Sequence, residues 1–251
     1  YKENSLNCDY YFTSSFYWPI HSKKYLNAKY IVTGSILANS YPPSTHTRVK
    51  KIQWISQWRK HTNEKYINGK IVSSTDLLIR PTQISLKVIL RFCDHNNLPL
   101  EIIGVTNTDE EYQFYKQFLP EFNFLGKDLN STPYKSYEQI SDDAIVTGND
   151  SMLQYESFGR GFRTSFFTFC SELIGDESRR FAWPMQTNNF GEFWCNLPDE
   201  NHMLRILDYL FQVNKDEWWD HVKKYRRVIL YNPNNTIIKE ILVNEGICIK
   251  N

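Results

Sequence analysis

From about residue 50 the chain alternates between short β-rich runs and longer segments in which apolar residues recur every three or four positions. That alternation is the mark of parallel βαβ units. Lys51 to Trp58 (KIQWISQW) reads as a strand and Gln83 to Asn97 as a helix, followed by a strand at Leu98 to Val105. Asp109 to Leu119 is a helix whose acidic first turn suits the helix dipole, and Phe122 to Leu125 is a short strand. Ser136 to Ile140 gives a short helix, Ala144 to Thr147 a buried strand, Ser151 to Arg160 a helix and Thr164 to Phe169 another strand. The sum is an α/β fold with a doubly wound parallel sheet.

The periodicity then lapses. Phe181 to Pro198 is rich in aromatics, Asn, Gly and Pro, and reads as a long ordered loop. Helices are expected at Glu200 to Val213 and Asp216 to Val228, and a last amphipathic segment at Thr236 to Asn244. Before residue 45, Asp9 to Phe16 and Lys29 to Thr33 look like strands, Gly34 breaks the second, and Tyr41-Pro42-Pro43-Ser44 has the composition of a linker. The expected divisions are therefore 1–47, 48–228 and a helical tail at 229–251.

Composition narrows the classes. With 41% hydrophobic and 23% charged residues the chain is in the ordinary globular range, and 29 basic against 28 acidic side chains lack the basic excess of a nucleic-acid-binding domain. The aromatic share of 16% suits either thick packing layers or sugar-stacking surfaces. Five scattered cysteines without a C-x-x-C pair favour a reducing compartment and support neither a disulfide framework nor a structural zinc site. Isolated histidines and the absence of a D-x-D sequence give no indication of a metal cofactor. No run approaches the roughly 18 apolar residues of a spanning helix, so a soluble, cytoplasmic protein is expected.

The most informative stretch is residues 144–161, AIVTGNDSMLQYESFGRG. A buried strand runs into Gly148-Asn149-Asp150-Ser151 and then a helix, which puts free N–H groups and a positive dipole end at the carboxyl edge of a parallel sheet. Such a corner suits a phosphate. It is equally readable as a plain cap at Asp150 or Ser151, worth about 1 kcal/mol. Glu156 in the same helix would suit ribose hydroxyls, or is simply a surface glutamate. Five residues are about 500° of helix, so Ser151 and Glu156 converge on one ligand only if Ser151 stands in the cap.

The run Asp150 to Gly161, followed by Phe181-Ala-Trp-Pro184 and Gly191-Glu-Phe-Trp-Cys-Asn196, resembles the bacterial surface carbohydrate biosynthesis family, with its D-S-T-L-x-Y-E-x-x-x-x-G motif and downstream W-P and G-x-F-W elements. More distantly it is similar to the nucleotide-binding half of GT-B glycosyltransferases and to sugar-nucleotide 2-epimerases. The resemblance implies a Rossmann-like domain, with Ser151 as the phosphate serine and Glu156 as the ribose glutamate. In the epimerases that glutamate falls one place later, where this chain has Ser157, and Met152 replaces a small residue. Tyr30 to Ile36 is similar to the segment preceding the second Rossmann domain, which implies that residues 1–47 are the remnant of a front, acceptor-binding domain.

Topology adds Ser56, Gln57 and Arg59 at the end of the first strand, where Arg59 would meet a phosphate or is a surface arginine. Gly104 ends the next strand, and the 104–107 stretch would pass a nucleobase. Arg80 and Arg160 are expected to be solvated. The resemblance also raises Trp183, Glu192, Phe193, Trp194 and Asn196 as a sugar pocket, although aromatic loops more often form a secondary core. The expected activity is glycosyl transfer from a nucleotide sugar to a glycan or lipid-linked acceptor in surface polysaccharide synthesis, with no catalytic base assignable and peripheral contact with the inner membrane face left open. An epimerase, a non-catalytic nucleotide-sugar-binding subunit and a phosphotransferase acting on glycerol phosphate remain as alternatives.

Overall fold

The structure, a computed structural model, describes residues 6–59, 64–67, 69–73, 75–106, 108–126 and 135–246. Its centre is a parallel sheet of β3 (Lys51–Ile55), β6 (Leu100–Ile103), β7 (Asn123–Leu125) and β8 (Ala144–Thr147), in the order β7-β6-β3-β8. The apolar sides of β3 and β8 are fully buried, as a sheet covered on both faces requires. The small hairpin of β4 (Lys65–Ile67) and β5 (Lys70–Val72) lies apart from it.

The sheet continues beyond β8. Val146 N–H donates to the Arg163 carbonyl (2.8 Å), Ser165 N–H to Val146 (2.9 Å) and Phe167 N–H to Gly148 (3.0 Å). This places β9 (Phe166–Phe167) beside β8, and β9 pairs in parallel with β10 (Trp194–Cys195). Numbered from β3, the parallel strands run third, second, first, fourth, fifth, sixth. That is the doubly wound Rossmann order, with its reversal between β3 and β8. The expected loop from Phe181 to Pro198 thus contains a strand, β10. Two residues are too short to show a period, and only the waiting edge of β9 makes them one. The strand expected at Thr164 to Phe169 is correspondingly trimmed to two residues.

Helices cover both faces. α2 (Arg80–Asn96) starts three residues before its expected position, because the turn Thr75–Ile79 and Pro81 lead straight into it, and Asn97 ends it in the left-handed conformation (φ 52°). α3 (Asp109–Lys116) is capped by Thr108, whose side chain accepts the Glu111 N–H. After α4 (Lys135–Gln139), α5 (Met152–Gly159) and α6 (Cys170–Ile174) come α7 (Glu200–Gln212) and α8 (Lys215–Lys224), capped by Asp199 and Asn214. Phe158, Phe166, Phe181, Phe193, Trp194 and Trp218 interlock between them as one aromatic core.

The N-terminal unit is built differently. β1 (Leu6–Thr13) and β2 (Leu26–Val32) pair in parallel, joined by α1 (Trp18–Ser22), and β1 is exposed along most of its length. The C-terminal segment returns to it: Leu230 N–H donates to the Ser14 carbonyl (2.8 Å) and Phe16 N–H to Arg227 (3.0 Å). The Asn39 side chain donates to Thr33 (2.9 Å) and Asn235 (2.9 Å) and accepts the Asn232 N–H (2.8 Å). Gly34, at φ +80°, lies where any Cβ would collide with the Leu230 carbonyl. α9 (Thr236–Asn244) follows this crossing. Among the described residues no helix is long and apolar enough to cross a membrane.

Candidate functional site

β8 ends against β3, and the chain turns through Gly148, Asn149 and Asp150 into α5. Ser151 stands in the cap with extended backbone (φ −93°, ψ 140°), so the condition set by helix geometry is met. Ser151 and Gln154 form a capping box, in which Gln154 Oε1 accepts the Ser151 N–H at 3.3 Å. The Gln154 amide also donates to the carbonyls of Gly148 (3.1 Å) and Ser165. Gly148 has no Cβ because Gln154 Oε1 would stand 2.9 Å from it. Gln154 thus fastens the inner side of the turn to the sheet.

The outer side opens on a two-lobed cleft between α5 and the N-terminal unit. One lobe, of about 610 Å³, includes Trp18, His21, Asp150, Tyr155, Arg179, Arg180 and Trp183 in its wall. The other, of about 310 Å³, lies between Phe12, residues 33–37 and Glu156. Ser14 and Met152 line both, and Met152, 49% exposed, stands where they meet.

Each lobe has a carboxylate from the turn into α5 or from α5 itself, and the larger lobe also has Asp176. Asp150 pairs with Arg179 at 3.2 Å and keeps 19% of its side chain accessible. Burial pushes its pKa up to about 7, against the pull of the Arg179 charge and hydrogen bond. Glu156 is buried and accepts the Tyr137 O–H at 2.5 Å and the Ser35 hydroxyl. Burial raises its pKa too, opposed by Ser35, Tyr137 and the Arg160 charge. The bland alternative, a solvated surface glutamate, is excluded. An ionised carboxylate offers about four acceptor positions, so Glu156 retains capacity for a ligand.

Arg160, expected to be solvated, is instead only 3% exposed. It lies over the rings of Tyr41 (5.4 Å) and Phe162 (4.8 Å) and donates from Nε to the Pro42 carbonyl, cation–π contacts replacing water. Arg80 is exposed.

The other residues singled out from sequence divide. Trp183 lines the larger lobe beside Asp150. Asn149 is buried next to α5, 3.5 Å from the Ser85 hydroxyl of α2. Ser56 is buried in a chain in which it donates to Glu111 (2.6 Å) and accepts from Tyr115 (2.8 Å). Glu111 also takes the N–H groups of Val105 (3.0 Å) and Thr106 (2.7 Å), tying the ends of β3 and β6 together. Gly104 is packed under the Phe124 ring, Gln57 is half-buried and Arg59 is exposed at the sheet edge; Asn107 lies outside the described residues.

Phe193, Trp194 and Asn196 do not reach the cleft. Phe193 is wholly buried, the Trp194 indole donates to the Asn188 carbonyl (3.0 Å), and the Asn196 side chain accepts from Phe181 N–H (2.9 Å) and Thr168 O–H (2.7 Å). Glu192 lies with Trp194 on a separate hollow of about 540 Å³. Sequence reasoning passed over Ser35, Tyr137, Trp18, His21 and Arg179. The Ser after Gly34 and the Trp-Pro pair at 18–19 were the only local hints, since each gains its place through a distant contact.

Comparison with known proteins agrees with a carbohydrate connection. Residues 1–246 match a family described as "putative O-antigen biosynthesis protein". No curated protein matches the chain.

Proposed function

Because the chain belongs to this family of O-antigen biosynthesis proteins, we propose that it is a glycosyltransferase that takes its sugar from a nucleotide donor held on α5. The carrying observation is the position of α5. It begins at the reversal of strand order between β3 and β8, where open α/β sheets bind ligands, and Asp150 in the turn before it and Met152 and Glu156 within it line the cleft. In this reading the donor phosphate meets the N-terminal amides of α5 and Ser151, Glu156 receives the ribose hydroxyls, and the sugar lies towards Trp183.

The transfer breaks the bond between the sugar's anomeric carbon and the phosphate oxygen and forms one from that carbon to an acceptor hydroxyl oxygen, whose proton passes to the departing phosphate or to water. Negative charge grows on the leaving phosphate, and a fixed helix dipole stabilises it without reorganisation. The N-terminal unit supports an acceptor side. Parallel strands are normally covered on both faces, yet β1 and β2 leave Leu6 at 71% and neighbouring Tyr25 at 57% exposure, an apolar surface open to an acceptor.

Ser151→Ala and Glu156→Gln test the assignment in the full chain, by calorimetry with CMP, UDP, GDP and TDP and by turnover with the matching nucleotide sugar. Each substitution is expected to weaken nucleotide binding about ten-fold, that is about 1.4 kcal/mol. Unchanged affinity and turnover in both variants would overturn it. Incubation with donor alone separates transfer from epimerisation, because only the epimerase changes the sugar without an acceptor.

A further inference from the structure

The larger lobe has a wall that the nucleotide reading does not explain. Trp18 of α1 meets Trp183 edge-on at 5.9 Å, and His21 lies 5.1 Å from Trp183 and 6.4 Å from Trp18. These rings come from two distant parts of the chain and enclose space instead of filling it: Trp18 stays 37% exposed while Trp54 and Trp218 are buried. Leaving indole surface in water forgoes about 25 cal/mol for each Å², which fits a surface kept open for a ligand.

The polar side of the lobe is already matched. Arg179 is paired with Asp150, Arg180 is held by Asn189 and lies 3.9 Å from Glu177, and Asp176 accepts from Ser178. An acidic or basic ligand would have to compete with these partners for the same charged groups in a partly desolvated place. An uncharged sugar ring need not. Its C–H face suits an indole, and its hydroxyls can add to the Asp150–Arg179 pair without displacing either partner.

We propose that this lobe is a subsite for an uncharged pyranose, the glycosyl group of the donor, closed by Trp18 of the N-terminal unit against Trp183. The inference rests on the nucleotide reading above and commits it to a sugar class. It also gives the N-terminal unit a direct share in donor recognition.

Calorimetry of the full chain with each bare nucleotide, its hexose and N-acetylhexosamine conjugates, and UDP-glucuronic acid tests it. One uncharged conjugate is expected to bind at least about ten-fold tighter than its own nucleotide, a difference of about 1.4 kcal/mol. Trp18→Ala and Trp183→Ala should erase that gain and leave affinity for the bare nucleotide within about two-fold. The subsite falls if no conjugate outbinds its nucleotide, if the gain survives both substitutions, or if the uronic acid conjugate binds tightest; in each case the nucleotide reading stands. If no nucleotide binds the wild-type chain, both fall together.

Discussion

Aromatic residues of one stretch of sequence do opposite things. Phe181, Phe193 and Trp194 stack into the core beside β9 and β10, with centroids about 5 Å apart and with Asn196 satisfied by three partners. Trp183, two residues after Phe181, turns instead to the cleft and meets Trp18 across it. The difference teaches that aromatic content alone specifies neither packing nor recognition. What separates the groups is whether ring faces are consumed by neighbours or left bordering a cavity.

The comparison breaks most visibly at Phe193. Phe193→Ala should destabilise the chain by about 3 to 5 kcal/mol, because rings of Phe158, Phe181, Trp194, Trp218 and Tyr225 surround it and cannot all collapse into the gap. Denaturant unfolding measures this. A loss under about 1 kcal/mol would place the loop outside the core.

A smaller and pH-dependent effect is expected on the cleft side. The folded-state pKa of Asp150 is raised to about 7 from 3.8, so the folded chain keeps this proton longer than the unfolded chain does. Its contribution to stability is complete below about pH 4 and is lost as pH rises through about 7. Asp150→Asn never ionises, so the Tm of the variant relative to wild type should climb between about pH 4 and 7 and then level off. A difference independent of pH would show that Asp150 ionises freely in the fold.

The smallest effect is expected at Trp18. With Trp18 partly exposed on the short helix α1, Trp18→Ala should cost only about 1 kcal/mol, far below Phe193→Ala, as read by the same denaturant titration. A loss as large as that at Phe193 would make Trp18 a packing residue and remove the distinction between the two groups.

How much of this was legible beforehand follows from the range of each interaction. β8 and the turn into α5 were readable because a buried apolar run followed by Gly-Asn-Asp-Ser dictates strand, turn and cap from adjacent residues. β10 was not, since two residues become a strand only when an edge is offered to them. The family motif also marked Phe193, Trp194 and Asn196 together with Trp183, without separating rings that hold the loop from the ring that faces the cleft.

By itself, then, the sequence determined the alternation of strands and helices, the doubly wound α/β class and the position of Ser151 at a helix start. These depend on period and local hydrogen bonding within a few residues. Only tertiary structure decided that Glu156 is bonded by Tyr137 and Ser35, that Arg160 is buried against the Tyr41 ring, and that Trp18 closes on Trp183. The partners in those contacts are separated by 19 to 165 positions, and burial and pairing exist only once the chain has brought them together.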